Sequence, residues 1–166
     1  PSDLKIKNEE LYLETIQKGM KFVARHDVLL TIGVTPDHPD TRYGYIQIED
    51  EDTEGMHKVR SFTEKPDEQF AQIFFESGEF YWNSGILIWN IPTFMKTVEQ
   101  LLPEPAEQLK HIFSTHRQRD ERRAILYSCY ATFPHISAEQ ALLEKSDHVY
   151  MAKGDFRWSD IESWDL

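Results

Sequence analysis

The chain has 166 residues, of which 40% are hydrophobic, 13% aromatic and 28% charged. That is the length of one domain, long enough to bury a core and too apolar for a disordered segment. With 18 Lys+Arg against 29 Asp+Glu the net charge is −11, and no run approaches the roughly 18 apolar residues of a membrane helix, so neither nucleic acid nor membrane is an expected partner.

Taken in chain order, Asn8 can cap a helix whose first turn holds Glu9 and Glu10, where the helix dipole favours acids. Leu11, Ile16, Met20 and Val23 give it an apolar stripe. Val28 to Val34 is a short, β-branched, nearly continuous apolar run, the pattern of a strand covered on both faces. Residues 35–42 read as a loop with Pro36 and Pro39, and Tyr43 to Ile48 as a strand. Glu49 to Gly55 reads as an acidic turn, with Lys58 to Phe62 pairing back as a hairpin. Asp67 caps a helix through Phe75 that Gly78 ends. Trp82 to Trp89 is a strand, and Pro92 suits the first position of a helix reaching Leu102. A further helix is expected from about Ala106 into the Arg117 region, then a short one from Ser137 to Lys145. His148 to Ala152 is a last strand, followed by a loop rich in Trp and acids.

Helices alternating with buried strands give an α/β fold with a mixed sheet and flanking helices. Residues 1–166 read as one domain, and the absence of an opening strand and phosphate-binding turn before the first helix suggests part of a longer one. The single cysteine, Cys129, excludes an internal disulfide and a cysteine zinc cage. With no signal-peptide pattern in residues 1–15, it fits a cytoplasmic setting.

Common catalytic signatures such as a P-loop, G-x-G-x-x-G, H-E-x-x-H and G-x-S-x-G are missing, and the seven histidines are scattered. Four segments carry more chemistry. In Thr41-Arg42-Tyr43-Gly44-Tyr45-Ile46 a glycine between aromatics lets a ligand approach the backbone, although a turn or bulge glycine is the commoner explanation. Phe62-Thr63-Glu64-Lys65-Pro66 sets an acid that can accept from hydroxyls beside a base that can pair with phosphate, although an exposed proline turn has the same look. Trp82-Asn83-Ser84-Gly85-Ile86 offers an amide at a buried strand, with Gly85 giving room. In Trp158-Ser159-Asp160-Ile161-Glu162-Ser163-Trp164 two indoles flank acids and hydroxyls, so that Asp160 could bind a hard cation in a dry site.

In that order these segments resemble the sugar-phosphate nucleotidyltransferases, above all their mannose-1-phosphate guanylyltransferase branch, nearly end to end. Pro1-Ser2-Asp3 is similar to the family's Pro-Ser-Asp, and Thr31-Ile32-Gly33-Val34-Thr35-Pro36 with Tyr43-Gly44-Tyr45-Ile46 follows its GI-x-P and YGYI stretches. Glu64-Lys65-Pro66, Trp82-Asn83-Ser84-Gly85-Ile86, Ala141 to Lys145 and Trp158-Ser159-Asp160 match further segments. Family members have glycine where Arg157 and Glu162 stand here.

The resemblance implies transfer of GMP from GTP to mannose 1-phosphate, giving GDP-mannose and pyrophosphate, with Mg2+ held by Asp3 and Asp160. It implies catalytic roles for Asp3, Lys65 and Asp160, and substrate binding by Tyr43, Gly44, Tyr45, Glu64, Lys65, Asn83 and Gly85. It also implies that residues 1–166 are the C-terminal portion of a Rossmann-like catalytic domain whose nucleotide-binding portion is missing. The isolated chain is then expected to be inactive and, with a sheet edge uncovered, able to form a homo-oligomer. The alternatives are a nucleotidyltransferase of other nucleotide or hexose specificity and a non-catalytic sugar-phosphate-binding module, the latter favoured by Arg157 and Glu162.

Overall fold

In a computed structural model, which describes residues 4–114 and 119–160, two stretches near the ends of the chain meet first. Strand β1 (Leu4–Ile6) pairs antiparallel with β7 (Trp158–Asp160), and the register sets Leu4 across from Asp160. The tryptophan-rich segment expected as a loop is therefore partly strand.

Helix α1 (Glu9–Val23) starts where expected, with Asn8 Oδ1 accepting the Leu11 N–H at 3.2 Å. It leads into β2 (Leu29–Val34), every residue of which is buried. The burial follows from its position: β2 lies between β5 (Phe80–Ile88), antiparallel, and β6 (Val149–Lys153), parallel. Strand β3 (Tyr45–Thr53) pairs antiparallel with β5 and with β4 (Met56–Thr63), and β4 pairs with β6. The five strands thus close a ring in the order β2-β5-β3-β4-β6. This is the expected mixed sheet with flanking helices. Among the described residues each of these five strands thus has a strand neighbour on both sides.

The acidic segment 49–55 differs from expectation. The strand runs on to Thr53, with two register shifts, and only Glu54 (φ 56°) and Gly55 (φ 80°) turn the chain. Two successive left-handed residues make the tight turn that matches strand twist, so the acids need no loop of their own. Helix α2 (Glu68–Ser77) is capped by Asp67, whose Oδ1 accepts the Phe70 N–H, and ended by left-handed Gly78. In α3 (Ile91–Leu101) Asn90 is the cap, so Pro92 falls one residue later than expected. The Asn90 amide also donates to Val23 O at 2.7 Å, tying the end of α1 to the start of α3. Helix α4 (Pro103–Ser114) begins earlier than expected, and the helical stretch expected into the Arg117 region is followed by a separate helix, α5 (Arg119–Tyr130), which buries no residue. The short helix after Ser137 is a single π turn, Glu139–Leu143.

Two apolar clusters sandwich the sheet. One joins Phe22, Leu30, Ile32, Val34, Tyr45, Trp82 and Phe156, and the other joins Leu29, Ile46, Phe62, Leu142, Val149 and Met151. Leu30, Ile32 and Val34 alternate with Leu29, so β2 feeds both faces, as its unbroken apolar run requires. Among the described residues no helix is long and apolar enough to cross a membrane.

Candidate functional site

The four segments singled out in the sequence converge. Residue 83 pairs across to Gly33, but between Thr31 and Gly33 the register with β5 slips, and Gly85 takes φ 74° there. A bulge of this kind re-aims the side chains around it. Ser84 Oγ closes it by donating to Ile32 O at 2.8 Å. Asn83 beside the bulge is 7% exposed. Its backbone N–H donates to Gly44 O at 2.7 Å, and its Oδ1 accepts the hydroxyl of buried Thr31 at 2.6 Å. With Oδ1 engaged by Thr31, the two amide hydrogens are the groups Asn83 has left to offer a ligand.

Gly44 lies beneath the Glu64 carboxylate. A Cβ on Gly44 would stand 2.7 Å from Glu64 Oε2, 3.1 Å from Phe62 Cζ and 3.3 Å from Asn83 Cβ. Glu64 Oε2 is buried and has no hydrogen-bond partner among the described residues. Burial, and then the charge of Glu139, push the Glu64 carboxyl up to about 6; Lys65 pulls it back down and Glu144 adds to the rise. Lys65 itself holds φ 45°, an uncommon conformation for a side-chain-bearing residue.

The raised carboxyl has a consequence for stability. The folded protein takes up this proton more readily than the unfolded chain, so the contribution is fullest below about pH 4.5 and is lost as pH rises through about 6. Glu64→Gln, neutral throughout, is therefore expected to have a higher Tm than the parent above pH 7. The difference should vanish near pH 4.5, which thermal unfolding at a series of pH values measures.

Tyr43 joins the other two segments. Its ring centroid lies 4.8 Å from that of Trp82 and 5.1 Å from that of Trp158. The indole N–H groups of Trp82 and Trp158 are buried without partners among the described residues. Both tryptophans line a cleft of about 630 Å³ with Lys5, Lys7, Thr35, Asp37, Asp155, Arg157 and Ser159. Three cations against two acids, Asp37 and Asp155, give this cleft of an acidic protein a small local excess of positive charge, which suits a phosphate-bearing ligand. Arg157, where the resemblance leads one to expect glycine, stands at φ 52°, the left-handed conformation that glycine adopts freely.

Tyr45 does not face a ligand. Its side chain is fully buried, packs on Phe74 at 5.4 Å and accepts the Asp40 N–H on its hydroxyl at 2.9 Å. That burial leaves the backbone as the part of Tyr45 open to the expected substrate contact, while the side chain of this second tyrosine of the YGYI stretch anchors the 35–42 loop. Asp3 and Glu162 lie outside the described residues, and for Asp160 only the strand pairing is described. Lys5, Lys7, Thr31 and Glu144 were not among the expected site residues. No spacing signals them, because each reaches the site through pairing between distant parts of the chain.

The comparisons agree with this geometry. Over 99% of its length the chain is 30% identical to the mannose-1-phosphate guanylyltransferase of Escherichia coli, and covers 36% of that relative. It is 28% identical over 99% of its length to the mannose-1-phosphate guanylyltransferase of Sinorhizobium fredii, covering 32% of it. The chain thus spans about a third of these relatives. The matched part is the N-terminal part of the relatives, which corrects the expectation of a C-terminal position to the extent that it concerned the whole relative. Among solved structures it matches the crystal structure of mannose-1-phosphate geranyltransferase from Thermus thermophilus, with a TM-score of 0.84, 25% identity and coverage of 99% of this chain and 46% of that one. It also matches the structure of mannose-6-phosphate isomerase from Helicobacter pylori, with a TM-score of 0.78, 26% identity and coverage of 96% and 62%. The profile described as nucleotidyl transferase matches residues 2–165, so the sequence, the fold and the convergence of its polar segments lead to one conclusion: the chain belongs to the nucleotidyl transferase family.

Proposed function

We propose that the protein carrying this chain transfers GMP from GTP to mannose 1-phosphate, giving GDP-mannose and pyrophosphate, and that these residues supply its sugar-phosphate and metal side. A phosphate oxygen of the sugar phosphate attacks the α-phosphorus of GTP, a new P–O bond forms, and the bond to pyrophosphate breaks. No protein nucleophile is required, so positioning and charge neutralisation carry the rate. The observation that carries the reading is the Glu64 carboxylate over Gly44, with one buried oxygen unpartnered among the described residues and the Asn83 amide beside it. A buried acceptor next to spare amide donors, against a glycine that leaves room, is suited to sugar hydroxyls.

Lys65, adjacent to Glu64, pairs with the sugar phosphate, and the Tyr43–Trp82–Trp158 wall keeps the site dry. Asp3 and Asp160 would hold Mg2+. Two carboxylates with phosphate oxygens and water make a donor set that suits this ion, and the β1–β7 pairing, with Leu4 across from Asp160, supports it. When bound, the ion neutralises charge on the phosphates.

The test is a product assay on the complete reading frame containing residues 1–166. GDP-mannose and pyrophosphate are expected from GTP, mannose 1-phosphate and Mg2+, with no product from the 166-residue chain alone. Lys65→Ala is expected to lower kcat/KM about thirtyfold, the loss of one charge-assisted contact of ~2 kcal/mol. Another nucleotide sugar as product would move the assignment to a different specificity. Left-handed Arg157 favours a second reading, a sugar-phosphate-binding module without turnover. Binding of mannose 1-phosphate by the protein of the complete reading frame, with no product even with Mg2+, would establish that reading.

A further inference from the structure

Glu64 leaves the sheet just beyond the last pair of the β3–β4 ladder, Tyr45 with Thr63, so its backbone N–H has no strand partner. Glu144 Oε1 takes that N–H at 2.8 Å across 80 positions of sequence. Glu144 follows directly on the π turn, and its own N–H donates to Glu139 O at 3.0 Å. Ala141, Leu142 and Leu143 of the turn are buried in the same cluster as Ile46, Phe62 and Met151. The side chain that grips the Glu64 turn is thus mounted on a segment anchored in the core behind β4. A π turn carries one more residue per hydrogen-bonded ring than an α turn, and such turns recur at functional sites.

We propose that Glu144 is a positioning residue, which fixes the turn from which Glu64 and Lys65 project by accepting the Glu64 N–H. Its functional consequence rests on the reading of Glu64 as a sugar-hydroxyl ligand. The charges facing the Glu64 carboxyl are Glu139 and Glu144 from the π-turn segment and Lys65 from its own turn. Glu144 therefore acts twice: its oxygen holds the backbone, and its charge makes the Glu64 proton harder to lose.

The two effects separate by substitution. Glu144→Gln keeps an accepting oxygen and removes the charge, whereas Glu144→Ala removes both. In Glu144→Ala, exchange of the Glu64 amide hydrogen is expected to speed up at least tenfold and the Kd for mannose 1-phosphate to rise about tenfold. Glu144→Gln should keep the amide protection and Kd near the parent at pH 7.5. In both variants the carboxyl titration of Glu64, followed by carbon-13 NMR, should move to lower pH. A merely structural residue would not produce that division.

The proposal is overturned if Glu144→Ala leaves the Glu64 amide unchanged, or if Glu144→Gln matches Glu144→Ala in exchange and leaves the titration in place. Failure of the sugar reading looks different. If the parent does not bind mannose 1-phosphate, or Glu64→Ala binds it as the parent does, that reading falls, while the exchange and titration still decide the role of Glu144.

Discussion

Phe156→Ala is expected to lower the unfolding free energy by ~3–5 kcal/mol, the range for removing a fully buried aromatic ring. Phe156 has no exposed surface and meets Tyr12 edge-on at 5.3 Å. Its surroundings have little freedom to fill the gap. The ring lies so close over Gly154 that a Cβ there would be 2.6 Å from Phe156 Cε1 and 2.8 Å from Ile32 Cγ2. The cavity left by alanine therefore stays open, and its cost adds to the lost burial. For a chain of this size Tm should fall by on the order of 10 °C. Phe70→Ala, on the exposed face of α2, should shift it by no more than a degree or two. The loss should reach the cleft too, because Phe156 O accepts the Asn8 N–H and Arg157 O accepts the Lys7 N–H, both at 3.1 Å. Urea unfolding measures the effect, and a loss under about 1 kcal/mol would show that the site repacks.

The second large effect concerns affinity. Gly44→Ala is expected to weaken mannose 1-phosphate binding at least about a hundredfold, some 2.7 kcal/mol, while Tm changes little. The new methyl would meet Glu64 Oε2 at 2.7 Å, the end of a flexible side chain, which can swing away. Folding tolerates that movement and the ligand site does not, since the carboxylate is displaced into the space proposed for the sugar. Phe62 Cζ at 3.1 Å and Asn83 Cβ at 3.3 Å limit any escape of the methyl itself. Calorimetric titration of parent and variant, with a thermal melt of each, separates the two effects. Unchanged affinity would remove Gly44 and Glu64 together from the site.

The elements legible in the sequence are those with a local signal. Asn8 and Asp67 cap helices because a side-chain oxygen three residues before a free N–H needs nothing distant. The unbroken run at Val28 to Val34 announced a strand covered on both faces for the same reason. The failures are non-local. The acids at 49–52 stay in strand because β4 resumes pairing beyond them, Asp52 with His57 and Thr53 with Met56, and α5 forms against α4 without burying a residue of its own. At the site, residue types were legible and their company was not. Glu64, Gly44 and Asn83 stood out individually, whereas Thr31 and Glu144 are bound to them across 52 and 80 positions. The sequence likewise does not reveal that the Tyr45 hydroxyl accepts a backbone amide of the 35–42 loop.

Strand β6 is the last member of the ring and the one that closes it, since it joins both β2 and β4 and comes from residues 149–153. During synthesis, β2 to β5 therefore emerge with two unpaired flanks and wait for the whole stretch between Ile88, where β5 ends, and Val149. Closing so long an intervening loop precedes the reward of the parallel pairing, which makes that closure the slow step of folding. Until then the strand flanks stay open, and premature termination before Val149 is expected to yield an aggregating sheet rather than a smaller stable protein.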